Sequence, residues 1–118
     1  MEISIATQAE IELIIETIKT KRQNWRLSTR QKNLQALIML GIDQDLALDE
    51  IYYKLQWRDY VSGPENDNHV PPIAGDVWVF GMIISEQICY LKFQNKSSGI
   101  IMWISVHPAD YPLNFPYQ

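Results

Sequence analysis

Residues 76–107 read DVWVFGMIISEQICYLKFQNKSSGIIMWISVH, and this run decides the fold. Its β-branched and aromatic residues fall into three apolar stretches, separated by Ser85-Glu86-Gln87 and by Lys96-Ser97-Ser98-Gly99, as strands are separated by turns. The pattern predicts three consecutive antiparallel strands over 76–84, 88–95 and 100–107. Side chains alternate across a strand. Cys89, Leu91 and Phe93 therefore share one face, and Ile88, Tyr90, Lys92 and Gln94 share the other. In the last strand Ile100, Met102, Ile104 and Val106 lie opposite in direction to Ile101, Trp103, Ser105 and His107. If Lys96 to Gly99 form a four-residue loop, Asn95 pairs with Ile100, Lys92 faces Trp103, Tyr90 faces Ser105 and Ile88 faces His107. One face is then apolar, and Cys89, Leu91, Phe93, Met102 and Ile104 are expected to meet helices. The other mixes aromatic rings with polar tips. Trp78 and Phe80 join the mixed face if the first hairpin loop has three residues, and the apolar face if it has two.

Upstream the periodicity is helical. Thr7 and Glu10 have capping-box spacing, and Ile11, Ile14, Ile15 and Ile18 follow at helical intervals, predicting a helix over about 9–21. Trp25 and Leu27 alternate with polar neighbours, as an edge strand would. Ser28 or Thr29 can cap a second helix with a stripe of Leu34, Leu37, Ile38 and Leu40, stopped by Gly41. Asp43 or Asp45 can open a third, with Leu48, Ile51, Tyr52 and Leu55 on one face. Residues 60–75 hold Gly63, Pro64, Pro71 and Pro72 among Asn and Asp, which reads as a long loop. Such loops are often functional. The expected fold is one α+β domain over 1–118, with helices packed on a twisted antiparallel sheet.

Composition agrees with a packed domain: of 118 residues 47% are hydrophobic and 20% charged. No apolar run is long enough to cross a bilayer, and the N-terminus lacks an export signal, so the expected compartment is the cytoplasm. The lone Cys89 reads as a small core residue. With two His and one Cys, neither a zinc site nor a cofactor is expected. The formal net charge of −4 disfavours nucleic acid as a partner. Its distribution does not: Lys19, Lys21, Arg22, Arg26, Arg30 and Lys32 follow one another with no Asp or Glu between Thr17 and Ile42. A charge run is commonly a solvated surface. Its functional reading is a patch facing phosphates or a protein partner, with Arg22, Arg26 and Arg30 as the candidates.

On the mixed face Tyr90, Lys92 and His107 would stand within about 8 Å of one another, His107 diagonal to Tyr90. Cleaving RNA without a metal requires a deprotonated 2′-hydroxyl, a stabilised phosphorane and a protonated 5′-oxygen. His107 suits proton transfer near neutrality, Lys92 can hold the phosphate, and Tyr90 can donate a hydrogen bond or stack a base. Trp103, and Trp78 under the longer loop, could stack further bases.

The run Asp59-Tyr60-Val61-Ser62-Gly63-Pro64-Glu65-Asn66-Asp67, then Trp78-Val79-Phe80-Gly81, Tyr90-Leu91-Lys92 and Ile104-Ser105-Val106-His107 together resemble the MqsR-related toxins. That resemblance spans roughly residues 34–117. It implies a RelE-like fold, cleavage of messenger RNA, and silencing by a cognate antitoxin with a helix-turn-helix domain. It also implies functional roles for Tyr90, Lys92 and His107. The loop residues Asp59, Tyr60, Gly63, Pro64 and Asp67 carry the motif without an evident chemical task, and Asp67 is expected to brace the turn. The sequence departs from the family in its acidic charge and at Val79, a glutamine in the founding toxin. A rival reading is a non-catalytic module that binds a peptide or protein on the aromatic sheet face.

Overall fold

A computed structural model describes residues 5–65 and 75–118. Helix α1 (Gln8–Thr20) starts at the capping box read from the sequence: Glu10 N–H donates to Thr7 Oγ1 (3.2 Å) and Thr7 N–H donates to Glu10 (3.0 Å). Ile11, Ile14, Ile15 and Ile18 form its buried stripe. After a short 3₁₀ turn, Trp25–Leu27 is strand β1. Helix α2 (Gln31–Leu40) has Arg30 at its N-cap, with no side-chain cap from either Ser28 or Thr29. Gly41, at φ +71°, ends it in the left-handed conformation that glycine adopts without strain. Helix α3 (Gln44–Lys54) is capped by Asp43, whose carboxylate accepts from Leu46 N–H at 2.8 Å.

The stripe of α2 is not the one its leucines suggest. Asn33, Ala36 and Leu40 are buried, whereas Leu34 is exposed and Ile38 is 82% exposed. A polar residue takes the innermost place because the edge of a strand waits there with backbone groups to be bonded.

Four further strands complete a mixed five-stranded sheet of order β1-β5-β4-β3-β2: β2 (Tyr60–Glu65), β3 (Gly75–Ile84), β4 (Gln87–Lys96) and β5 (Ile101–Pro108). β1 runs parallel to β5 and the other pairs are antiparallel. The expectation of a loop from residue 60 is thus corrected for 60–65, an edge strand on β3, where Gly and Pro are tolerated. Residues 66–74, including Asp67, lie outside the described residues.

The Asp59 to Pro64 motif is a brace. Tyr60, fully buried, donates its hydroxyl to Gly63 O (2.6 Å) and accepts from Ala6 N–H (3.1 Å). Gly63 sits at φ +110°, and a Cβ there would stand 2.6 Å from Val77 O. Asp59 is buried and accepts from Gln56 N–H (3.0 Å), while burial pushes its carboxyl above the ordinary range, partly offset by that bond and by Lys19. Pro64 is exposed at the strand end.

The first hairpin takes the shorter of its two expected loops, and the second is one residue tighter than expected. Ser85 and Glu86, at φ +48° and +68°, make a two-residue turn that pairs Ile84 with Gln87. Trp78, Phe80, Met82 and Ile84 therefore face the helices, and Trp78 is 4% exposed. The second hairpin closes over Ser97 to Gly99, with Gly99 at φ +96° and Lys96 N–H donating to Ile100 O (3.0 Å). Asn95 consequently pairs with Ile101 and Phe93 with Trp103. A β-bulge at Ile104 then adds a second one-residue slip, so Lys92 faces Ser105 and Tyr90 faces His107 directly.

Two slips restore parity only beyond the bulge. Before it, Ile101 and Trp103 turn inward in place of Met102, and Val106 takes the inward place expected of Ile104. Cys89, Leu91 and Phe93 are buried as expected. Trp103 has no exposed surface and packs against Trp25 and Phe93, ring centroids 5.0 Å from each. The Cys89 thiol, pushed up to about 11 by burial, is an inert core group. Among the described residues no helix is long and apolar enough to cross a membrane.

The brace makes a testable demand. Gly63→Ala should lower stability in urea by more than about 1 kcal/mol, because it adds overlap with Val77 O to an unfavourable φ. Gly99→Ala, which meets nothing within 4 Å, should cost less; equal losses would show that Gly63 matters only for its φ.

Candidate active site

The face of the sheet away from the helices carries Tyr90 and Lys92 from β4 and Ser105 and His107 from β5. Their position depends on Asn33. β1 stops at Leu27, leaving the outer edge of β5 bare beyond Trp103. The Asn33 side chain, fully buried, replaces the missing strand: its Nδ2 donates to Ile104 O (2.9 Å) and its Oδ1 accepts from Val106 N–H (3.0 Å). The same Nδ2 reaches Ser28 O at 2.9 Å. One amide thus fixes the bulge and the start of α2 together, and the residue between the two bonded positions is Ser105. The signal in the sequence was an asparagine at helical spacing from Ala36 and Leu40.

The tail after β5 closes the other side. A Cβ on Gly81, the partner of Tyr90, would lie 2.5 Å from Leu113 and 2.9 Å from Phe115, so glycine lets the tail lie flat on the open face. Farther on, Tyr117 stacks edge-on with Trp57 and donates to Ala6 O (2.6 Å). Between tail, sheet and the start of α2 lies a cleft of about 350 Å³.

Arg30, Lys32, Tyr90, Lys92, Ser105 and His107 all line it. The Tyr90 and His107 rings stack, centroids 5.5 Å apart and planes 22° apart. His107 is 6% exposed, and its Nδ1 lies 3.0 Å from Pro108 O. A carbonyl can only accept, so that bond assigns the proton to Nδ1 and leaves Nε2 to take one up. Burial raises the Tyr90 phenol, with Glu65 adding to the rise and Arg30 opposing it, so the hydroxyl stays protonated and serves as a donor. Arg30 Nη1 donates to Ser105 Oγ at 3.4 Å, and Lys32 pairs with Asp110.

Of the three arginines singled out in the basic block, only Arg30 lines the cleft. Arg22 pairs with Asp49 (2.9 Å) and lies over the Trp25 ring at 5.1 Å. Arg26, on the open face of the edge strand, donates to Gln23 O and Trp25 O (3.1 and 2.9 Å). Trp103, expected to stack bases, and Trp78, expected to do so only under a three-residue loop, are core residues, because the turns send both inward. The motif residues Asp59, Tyr60, Gly63 and Pro64 do not line the cleft either.

A larger hollow, about 610 Å³, lies between α1 and the end of α3, lined by Glu12, Glu16, Lys19 and Trp57. Among the described residues no histidine lines it, so size does not choose the site; chemistry does. Among the described residues no group of metal-ligating side chains comes together. No family model, no curated protein and no solved structure matches this chain.

Asn33→Ala would leave Ile104 O and Val106 N–H buried without partners, at about 1–3 kcal/mol for each unsatisfied group. Urea unfolding should show the loss, and the NMR ring-current shift between Tyr90 and His107 should collapse. Retention of that shift would separate the bulge from the amide.

Proposed function

We propose that this chain is an RNA-cleaving toxin of a type II toxin-antitoxin system, with messenger RNA as substrate and no metal in the reaction. The observation that carries the reading is the cleft itself. In a protein of net charge −4, it gathers Arg30, Lys32 and Lys92 around a protonated phenol and a histidine whose Nε2 has no hydrogen-bond partner among the described residues. This local excess of cations supplies the phosphate attraction that the whole chain lacks.

The chemistry follows from the positions. His107 Nε2 takes the 2′-hydroxyl proton, and the 2′-oxygen attacks phosphorus. Lys92 and Arg30 meet the charge growing on the phosphorane, and the Tyr90 hydroxyl donates a hydrogen bond to the same oxygens. The bond from phosphorus to the 5′-oxygen breaks, and the proton that His107 took passes through a water molecule to the departing oxygen, leaving a 2′,3′-cyclic phosphate, a 5′-hydroxyl and a neutral imidazole. Because one face of the Tyr90 ring is taken by His107, the phenol's part is donation rather than base stacking.

The architecture, helices on one face of a twisted sheet and a polar cleft on the other, is compatible with the RelE-like fold. The working compartment is the cytoplasm, and the silencing partner is an antitoxin with a helix-turn-helix domain, encoded beside this chain. The rival reading, a module that binds a peptide on aromatic residues of the sheet, loses its surface: Trp78, Phe80 and Trp103 are covered by the helices.

Induced expression in bacteria, with and without the neighbouring frame, should give growth arrest and transcript cleavage only in its absence. His107→Ala should reduce cleavage by about 10²- to 10⁴-fold while antitoxin binding persists. Lys92→Ala should also impair it, and Tyr90→Ala more than Tyr90→Phe only if the ring positions His107. If His107→Ala lowers the melting temperature and leaves cleavage per folded molecule unchanged, the residue merely holds Pro108 and the tail, and the reading falls.

A further inference from the structure

Among the described residues one acid joins the cations that line the cleft. Asp110, on the tail just beyond β5, pairs with Lys32 in the first turn of α2, and both line the cleft. Lys32, His107, Ala109 and Asp110 also line a second hollow of about 410 Å³, which runs along α2 past Gln35 and Met39. The ion pair therefore stands between the two hollows, beside His107. Its side chains are about half exposed, 47% and 53%, and exposed pairs are weak. Among the described residues Arg30 and Lys92 have no carboxylate partner, and α2 begins without a side-chain cap. A second anion would thus find unspent cations beside the one already held.

Resting on the RNA-cleavage reading, we propose that Asp110 occupies the subsite of an RNA phosphate neighbouring the scissile one. An incoming strand displaces the carboxylate from Lys32 and continues into the hollow along α2. Lys32 exchanges one anion for another, so the subsite is never without a counter-charge. Single-stranded RNA is the form that fits, since the strand must bend through two narrow hollows past a buried histidine, which a stiff duplex cannot do.

The test is binding of an uncleavable probe, a mixed-sequence pool of 2′-O-methyl RNA oligonucleotides, to the intact chain over a range of salt. Asp110→Asn should bind more tightly than the wild type. Its plot of log affinity against log salt should be steeper by up to about 0.7, the increment for one phosphate of a single strand. Lys32→Ala should bind more weakly, and the gain from Asp110→Asn should vanish in the Lys32→Ala background. Glu16→Gln, which removes an exposed acid of α1 on the helix side of the sheet, should bind like the wild type. Wild-type binding with no gain from Asp110→Asn, a gain that persists without Lys32, or the same gain from Glu16→Gln would overturn the subsite and leave the cleavage reading standing. Absence of binding by the wild type and by every variant would sink the cleavage reading and the subsite with it.

Discussion

A single buried amide holds the functional half of the molecule in register. Asn33 bonds Ile104 O, Val106 N–H and Ser28 O at once, so it ties the bulge of β5, the end of β1 and the start of α2 to one point. Backbone groups left bare inside a protein are costly, and β1 is only three residues long. Without a substitute for its missing continuation, β5 would expose an unpaired edge to the core side of α2. The helix therefore presents its asparagine inward and leaves Leu34 and Ile38 outside, an arrangement that hydrophobicity alone would reverse.

The bulge has consequences on both faces of the sheet. On the helix side it lets the strand keep the inward Trp103 that the shorter turn has set against Trp25 and Phe93, where large rings in mutual contact remove the most apolar surface from water. On the open side it brings Ser105 and His107 level with Lys92 and Tyr90. One inserted residue thus serves packing before it and chemistry after it, as bulges next to functional sites commonly do.

Charge is divided in the same local way. Most of the basic block serves the fold: Lys19 donates to Leu55 O, Arg22 to Asp49 and Arg26 to neighbouring carbonyls. Arg30 and Lys32 alone reach the cleft, where Lys92 from the sheet joins them. A concave wall concentrates their field, so the sign of the whole chain says little about the sign of the surface a substrate would meet.

The sequence by itself determined the helix boundaries that rest on local bonds, such as the Thr7 and Glu10 box and the Gly41 stop. It also determined the three strands from residue 76 and the common face of Tyr90 and Lys92, because alternation is a property of each strand alone. Register was not local. A turn one residue shorter reverses which side every later residue takes, and nothing in Ser85-Glu86-Gln87 or in Lys96 to Gly99 states the loop length. Trp103 was therefore misplaced, Trp78 was left between two faces, and His107 came out correctly only because the tight turn and the bulge shift the pairing twice. The edge strand at Tyr60–Glu65 was hidden by Gly63 and Pro64, whose turn chemistry is overridden once β3 lies alongside. Asn33 could be read only as a polar interruption in a helix, since the groups it bonds lie 71 and 73 residues away along the chain. Tertiary structure decided those contacts because they satisfy backbone groups that exist only after β5 has paired.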